Sequence, residues 1–246
     1  MKIHKWQVKL GVLLVILTVA LYVIHYLIFR DAHHIFIYLL GDIAFIPVEV
    51  LIVTIIIHEV LTSREKKERM NKLNMVIGVF FNEVGRGLLK FFSGFDKEIK
   101  NVSARLIVRD SWTAGDYAKA AGFFRKRNVP VEMDGEKLQD MKEFLKSNRE
   151  FLLRLLENPN LLEHESFTNL LWAVFHLADE LAHRKNLSHL SIKDYEHISN
   201  DIKRAYSVLV CEWLFYMRHL QKNYPYLFSL QVRTNPLDAE AAVEFR

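Results

Sequence analysis

The chain contains 246 residues, of which 51% are hydrophobic and 25% are charged, and its formal net charge at pH 7 is +4. Much of this positive excess lies beside two apolar segments near the N-terminus, so it gives little support for nucleic-acid binding, and we expect no nucleic-acid partner. The single cysteine, Cys211, excludes an intrachain disulfide and any metal site that needs several cysteines.

Two long apolar segments lie near the N-terminus, at about residues 7–29 and 35–57, and a short polar turn separates them. Each is long enough to cross a bilayer, which requires about 20 apolar residues. The first segment begins beside three lysines, as a signal peptide does, but it is long for one and lacks a small-residue cleavage site. We therefore predict a retained two-span transmembrane hairpin over residues 1–61.

Positive charges flank the two predicted spans on the same side of the bilayer. Lys2, Lys5 and Lys9 lie at or before the start of the first span, whereas the connecting turn has only Arg30, which Asp31 offsets. Five basic residues after the second span are predicted to contact anionic lipid headgroups, namely Arg64, Lys66, Lys67, Arg69 and Lys72. The positive-inside rule therefore predicts a multi-pass protein of the cell inner membrane with both termini in the cytoplasm.

The predicted spans contain polar residues that a simple anchor does not need. Asp42 and Glu49 are seven residues apart and share a helical face. If the spans pack antiparallel, His25 lies at the depth of Asp42 and Thr18 at the depth of Glu49. An ionised carboxylate near the bilayer centre costs about 2.5–3.5 kcal/mol on insertion scales unless it is paired, protonated or hydrated. Pro47, between the two acids, is predicted to kink the second span as a hinge.

Two interpretations of these polar residues stay open. In the first, they form hydrogen bonds between the two helices and stabilise the hairpin. In the second, Asp42 and Glu49 line a path for cations or protons through the membrane. Because two helices cannot enclose a pore, the second interpretation requires a homo-oligomer.

A charged helical extension and an amphipathic helix are predicted over residues 62–92. Apolar residues recur with helical periodicity on one broad face of residues 70–92. This face either packs in the core of the following domain or lies in the membrane interface, and periodicity does not distinguish the two.

The rest of the chain is predicted to be helical. Residues 93–235 are predicted to form a cytoplasmic all-α bundle, and residues 236–246 a flexible tail. A short apolar run at residues 106–108 could form a strand. Amphipathic periodicity and helix-stop residues predict four longer helices at residues 113–127, 134–157, 166–185 and 191–223.

Four potential metal ligands occur close together in one predicted helix, namely His176, Asp179, Glu180 and His183. Spacings of three, four and seven residues place them on one helical face. Helix-bundle metal proteins direct such side chains inward, whereas these lie opposite the apolar face of their own helix. We therefore favour a solvated polar face over a metal site, and we expect no cofactor.

The segment GDIAFIPVEVL at residues 41–51, followed by KLNMVIG at residues 72–78, resembles a group of uncharacterised prokaryotic two-span membrane proteins. The resemblance covers roughly residues 1–90. The resemblance implies a two-span hairpin and does not imply any activity.

The leading hypothesis is a non-enzymatic inner-membrane protein that forms a homo-oligomer through its hairpin. Such a protein would serve ion or proton permeation, or membrane-linked sensing. The alternative is a membrane-anchored scaffold whose cytoplasmic domain binds a partner protein, with the hairpin as a tether. A metal-dependent enzyme built on His176 and His183 is the weakest hypothesis, since no common catalytic motif is present.

Overall fold

A computed structural model of the protein describes residues 5–161, 164–238 and 240–242. All regular secondary structure within these residues is helical, which confirms the predicted all-α class. The chain divides into two compact units, Met1–Lys66 and Lys67–Arg246, which we call the N-terminal unit and the helical domain.

Two helices form the N-terminal unit. Helix α1 covers Lys5–Phe29, and helix α2 covers Ala32–Phe80, so that its last turns belong to the helical domain. Arg30 ends α1 with a φ of 49°, in the left-handed region that often terminates helices. The carboxylate of Asp31 caps α2, because it accepts the backbone N–H of His34 at 3.2 Å.

The apolar side chains of the N-terminal unit are not covered by the described residues. Helix α1 has no buried residue, and the first residue of α2 that is buried is Leu73, which lies in the helical domain. By length and composition alone, α1 and α2 could each cross a membrane. An apolar surface of this size normally contacts another apolar phase or another protein.

Helix α2 continues through a five-residue π-helical turn, Phe81–Gly85, into helix α3, Arg86–Phe95. A π-helical turn holds one residue more than an α-helical turn, and here Phe80 and Phe81 are both fully buried. A Cβ at Gly85 would lie 2.5 Å from the Phe81 ring, so this close approach requires glycine. The apolar face of residues 70–92 thus lies largely in the core of the helical domain.

Further helices of the helical domain are α4 (Ile99–Val102), α5 (Ala114–Lys126), α6 (Gly135–Ser147), α7 (Arg149–Leu156), α8 (Glu165–His183), α9 (Ile192–Asn223) and α10 (Pro225–Arg233). Helix α9 is central and packs against α3, α5, α8 and α10. Its Trp213 and Tyr206 are fully buried among the aromatic rings of neighbouring helices. Residues 106–108 do not form the strand considered from the sequence.

The prediction of one helix over residues 134–157 was wrong, because the helix breaks at Asn148 between α6 and α7. The Asn148 side-chain amide donates to the Phe144 carbonyl at 2.8 Å. A short polar side chain that bonds to nearby backbone competes with helical hydrogen bonds.

The C-terminal end of the helical domain differs from the prediction as well. Helix α10 was not predicted, because Pro225 was interpreted as a stop, although proline is favourable at the first position of a helix. The predicted flexible tail begins with packed residues, since Leu237 is only 3% exposed. Residues 239 and 243–246 of that tail, and Lys2 at the other end, lie outside the described residues.

Candidate functional site

A cavity of about 370 Å³ lies between α1 and α2, near their connection. Its lining comprises Thr18, Leu21, Tyr22, His25, Ile35, Tyr38 and Asp42. The Nδ1 atom of His25 is buried and has no hydrogen-bond partner among the described residues. The cavity therefore combines a carboxylate, an imidazole and three hydroxyl groups, all of which can take part in hydrogen bonds.

Three of the four polar residues that the sequence singled out line this cavity, namely Thr18, His25 and Asp42. Glu49 does not line it, and the Thr18 hydroxyl donates to the Leu14 carbonyl of its own helix at 3.0 Å. Within the described residues, hydrogen bonds join neither His25 to Asp42 nor Thr18 to Glu49. His25 and Asp42 therefore line the same cavity but are not hydrogen-bonded to each other.

The remaining predicted residues of this region lie on α2. Pro47 lies inside the helix, where it has no N–H to donate to the carbonyl four residues earlier. The five basic residues at positions 64–72 are all exposed. Lys72 forms an ion pair with Glu68 at 3.1 Å, and an exposed pair of this kind contributes little to stability.

A second polar cluster lies between α8 and α9, and we call it the α8–α9 cluster. Helix α8 contributes His176 and Glu180, and helix α9 contributes His197 and Asp201. The two residues of each pair are four positions apart, so they lie on one face of their helix. Both imidazole Nε2 atoms lie 3.5 Å from Asp201 Oδ2. Glu180 carboxylate oxygens lie 3.5 Å from the Nε2 of His197 and 4.0 Å from that of His176.

The members of the α8–α9 cluster differ in burial. The Asp201 side chain is 5% exposed, whereas those of His176 and His197 are 47% and 51% exposed. Asp201 Oδ2 accepts no hydrogen bond from any described group. The cluster is therefore closed by a buried carboxylate on one side and open to solvent on the imidazole side.

Two arginines flank the α8–α9 cluster. Arg184 donates to the Glu180 carboxylate and lies 3.3 Å from Asp194, while Arg204 lies 3.8 Å from Asp201 Oδ1. The hydrogen bond from Arg184 lowers the pKa of Glu180 below its usual range, so this carboxyl group is ionised at neutral pH. An ionised carboxylate beside imidazole groups is a donor set that can hold a cation.

The other two residues predicted as weak metal candidates lie outside the α8–α9 cluster. Asp179 pairs with Arg149 at 2.6 Å, and the Nδ1 atom of His183 lies 2.8 Å from the Asp179 carbonyl oxygen. The second pair of the cluster was missed. Its sequence signal is a repeated spacing, HLADE at residues 176–180 and HISND at residues 197–201, on successive predicted helices.

Comparison with known proteins identifies the family. Residues 69–233 match the family described as "Uncharacterized protein MJ1433, C-terminal helical domain", and residues 2–61 match "MJ1433, N-terminal helical domain". The chain is 44% identical over 239 residues to "Uncharacterized protein MJ1433" of Methanocaldococcus jannaschii, which covers 97% of this chain and 96% of that relative. The chain belongs to the MJ1433 family.

The two MJ1433 family regions correspond to the two structural units. The interval between the matched regions, residues 62–68, contains the division between the N-terminal unit and the helical domain. The α8–α9 cluster lies within the matched C-terminal region, and the cavity lined by Asp42 lies within the matched N-terminal region. No solved structure matches the chain.

Proposed function

We propose that this MJ1433-family protein is an integral membrane protein that oligomerises through its N-terminal unit and provides a path for protons or cations past Asp42. One observation carries the proposal. Two exposed apolar helices hold a carboxylate, an imidazole and hydroxyl groups in a single cavity, with no hydrogen bond between the imidazole and the carboxylate in the described structure.

The exposed apolar helices support insertion into a bilayer. Helix α1 has 25 residues and is about 37 Å long at about 1.5 Å per residue, which exceeds the hydrocarbon thickness of about 30 Å. Transfer of each large apolar side chain from water is favourable by about 1.5–3 kcal/mol. A helix also satisfies its backbone hydrogen bonds internally, as the bilayer core requires.

The charges around the two helices support one orientation. Lys5 and Lys9 lie at the start of α1, and Arg30 between the helices is offset by Asp31. The basic residues at positions 64–72 lie beyond the apolar part of α2. The positive-inside rule therefore favours cytoplasmic termini and a helical domain on the cytoplasmic side of the cell inner membrane.

The polar residues support an assembly of several chains. An ionised carboxylate in a bilayer is unfavourable unless it is paired or hydrated, and intramembrane acids often mark ion or proton pathways. Two helices cannot surround a hydrated path, and α1 has no buried residue in the described chain. Several copies around a common axis would cover the apolar helices and bring their Asp42 and His25 side chains together.

Flux through reconstituted protein tests the proposal. We expect liposomes containing the wild-type chain to dissipate an imposed proton or cation gradient, measured with an internal pH-sensitive or cation-sensitive dye. Asp42→Asn should reduce the flux about tenfold or more, which corresponds to a barrier raised by about 1.4 kcal/mol. Glu59→Gln is the matched control, because it removes an acid from the end of the apolar part of α2 and should leave the flux unchanged.

The oligomeric state provides the second measurement. Light scattering in detergent should give a particle with more than two chains. A monomeric particle, a wild type without flux, or an Asp42→Asn Glu49→Gln double variant as active as the wild type would each exclude the pathway.

A membrane-anchored scaffold is the second candidate function. Helix α10 carries three exposed apolar residues on one side, Tyr226, Leu227 and Leu230, which are 72%, 39% and 39% exposed. Clustered exposed apolar residues, and tyrosine in particular, are typical of protein-binding surfaces. This candidate predicts no flux, together with partner binding that persists after the two spans are exchanged for an unrelated pair.

A further inference from the structure

We propose that the α8–α9 cluster binds a divalent first-row transition-metal ion of the Zn²⁺ type. Its ligands would be His176, Glu180 and His197, whose donor atoms lie within 4.8 Å of one another, and the buried Asp201 carboxylate lies beside the two imidazoles. The inference concerns the helical domain alone. It therefore stands independently of membrane insertion and of any ion path along Asp42.

The distances within the cluster suit a bound ion better than direct hydrogen bonds. Ligand atoms around a tetrahedral Zn²⁺, at about 2.0–2.2 Å from the metal, lie about 3.3–3.6 Å from one another. Three of the distances between imidazole and carboxylate atoms in the cluster are 3.5 Å, and a fourth is 4.0 Å. A charge-assisted hydrogen bond would instead bring nitrogen and oxygen to about 2.7–2.9 Å.

Asp201 provides an independent indication that a cation fits in the cluster. Its side chain is 5% exposed, and its Oδ2 atom points between the two imidazoles without accepting a hydrogen bond from the described chain. The guanidinium group of Arg204 lies 3.8 Å from its other oxygen, Oδ1. Burial of an unsatisfied carboxylate oxygen is costly, and a cation between Asp201, His176 and His197 would remove that cost.

The donor set selects the class of metal. Ca²⁺ and Mg²⁺ prefer sites made of oxygen ligands, and Cu⁺ prefers sulfur, so neither class matches two imidazoles with a carboxylate. Imidazole and carboxylate together are typical ligands of Zn²⁺ and related divalent ions.

The surroundings of the cluster are compatible with ion entry and exchange. The half-exposed imidazoles of His176 and His197 leave a route from solvent. Glu180 also contacts Arg184, so a metal would share this carboxylate with the guanidinium group or displace it. Because α8 supplies His176 and Glu180 and α9 supplies His197, a bound ion would join α8 to α9.

Zn²⁺ binding to the full chain in detergent tests the site, after metal is removed with a chelator. We expect titration calorimetry to give one Zn²⁺ per chain for the wild type. His176→Ala and His197→Ala should each weaken the affinity at least about tenfold. His183→Ala is the matched control on α8, since this imidazole lies outside the cluster and contacts the carbonyl of Asp179, and it should bind as the wild type does.

Thermal unfolding provides a second readout that does not depend on calorimetry. Zn²⁺ should raise the Tm of the wild type and of His183→Ala, but not that of His197→Ala. Far-UV circular dichroism checks that the variants, which change half-exposed side chains, are folded. Absence of stoichiometric Zn²⁺ in the wild type, or equal Zn²⁺ affinity in the wild type and both cluster variants, would show that the cluster is only an ion-pair network.

Discussion

Apolar side chains are exposed in the N-terminal unit and largely buried in the helical domain. In the N-terminal unit, α1 has no buried residue and its apolar side chains face outward. In the helical domain, α9 alone buries fifteen residues, and the aromatic rings of Phe81, Trp213 and Tyr216 pack together. The helical domain therefore supplies its own core, whereas the described residues leave the apolar side chains of the N-terminal unit uncovered.

The two units also differ in whether their polar side chains described below have bonding partners. In the helical domain, buried Asp96 meets Arg127, and Asn82 accepts a hydrogen bond from Gln231 at 3.0 Å. In the N-terminal unit, Asp42 lines a cavity and forms no such bond with another described residue. The comparison predicts that the buried Asp96–Arg127 pair supports the stability of the helical domain, whereas Asp42 contributes little to the stability of the chain.

Loss of the buried Asp96 should have the largest effect on the helical domain. The Arg127 guanidinium group donates to both Asp96 oxygens, to one of them at 2.8 Å. The Arg127 side chain is 8% exposed and the Asp96 side chain is 0% exposed. Asp96→Ala leaves the guanidinium group without its buried partner, so we expect the free energy of unfolding to fall by about 3–5 kcal/mol. Denaturant unfolding followed by far-UV circular dichroism measures the change.

Two matched variants sharpen this prediction. Glu98 also pairs with Arg127, at 3.1 Å, but is 56% exposed, so Glu98→Ala should cost only about 0–1 kcal/mol. Asp42→Asn in the N-terminal unit should leave the unfolding of the helical domain unchanged. A destabilisation by Asp42→Asn as large as that by Asp96→Ala would refute the contrast between the two units.

A methyl group at Gly85 should have an intermediate effect. The new Cβ would lie 2.5 Å from the Phe81 ring and 2.9 Å from the Phe80 ring, so Gly85→Ala should destabilise the helical domain by about 1–3 kcal/mol. A Cβ at Gly122 in α5 would meet no neighbouring group within 4 Å, so Gly122→Ala should stabilise by about 0.5–1 kcal/mol. Thermal unfolding of the two variants gives the comparison, and equal shifts would contradict it.

Glu212 should produce the smallest effect, and one that depends on pH. Burial raises the pKa of Glu212. A hydrogen bond from Ser166 and the nearby basic side chains of His164 and Arg125 act in the opposite direction and do not cancel this increase. Because the folded pKa lies above the unfolded one, the stability linked to this group is complete at low pH and is lost as the pH rises through the folded pKa. At neutral pH the buried carboxylate is therefore unfavourable.

Glu212→Gln tests this sign, because it keeps the shape of the side chain without its charge. We expect the variant to be more stable than the wild type at pH 8, by on the order of 1 kcal/mol. The advantage should shrink toward pH 4.5. An advantage that is constant across this range would mean that Glu212 does not titrate differently in the folded chain.

Sequence periodicity was sufficient to predict the bounds of helices whose ends have capping or helix-stop residues. Helices α5, α8 and α9 begin and end within two residues of the prediction. At the start of α9, the Ser191 hydroxyl accepts the Asp194 N–H at 3.1 Å, as the spacing of the two residues indicates. The break at Asn148 was not predictable in this way, because asparagine also occurs inside helices and the apolar pattern continues across it.

The candidate sites were only partly accessible from the sequence, because each depends on contacts between helices. Pairing by depth brought His25 and Asp42 to one cavity, since a short connection limits how two helices can align. In the α8–α9 cluster, helical spacing identified His176 and Glu180 together with two residues that face elsewhere. Only the packing of α9 against α8 selects Asp201 as the buried partner.

The π-helical turn at Phe81–Gly85 has a consequence for how the length of this chain can vary. Each residue advances an α-helix by about 100°, so a single deletion within α3 would rotate the side chains that follow away from the core. A deletion inside Phe81–Gly85 would instead convert the π-helical turn to an α-helical one and keep the phase on both sides. Within the helix from Leu73 to Phe95, this turn is the position where the MJ1433 fold can lose one residue without turning its apolar face outward.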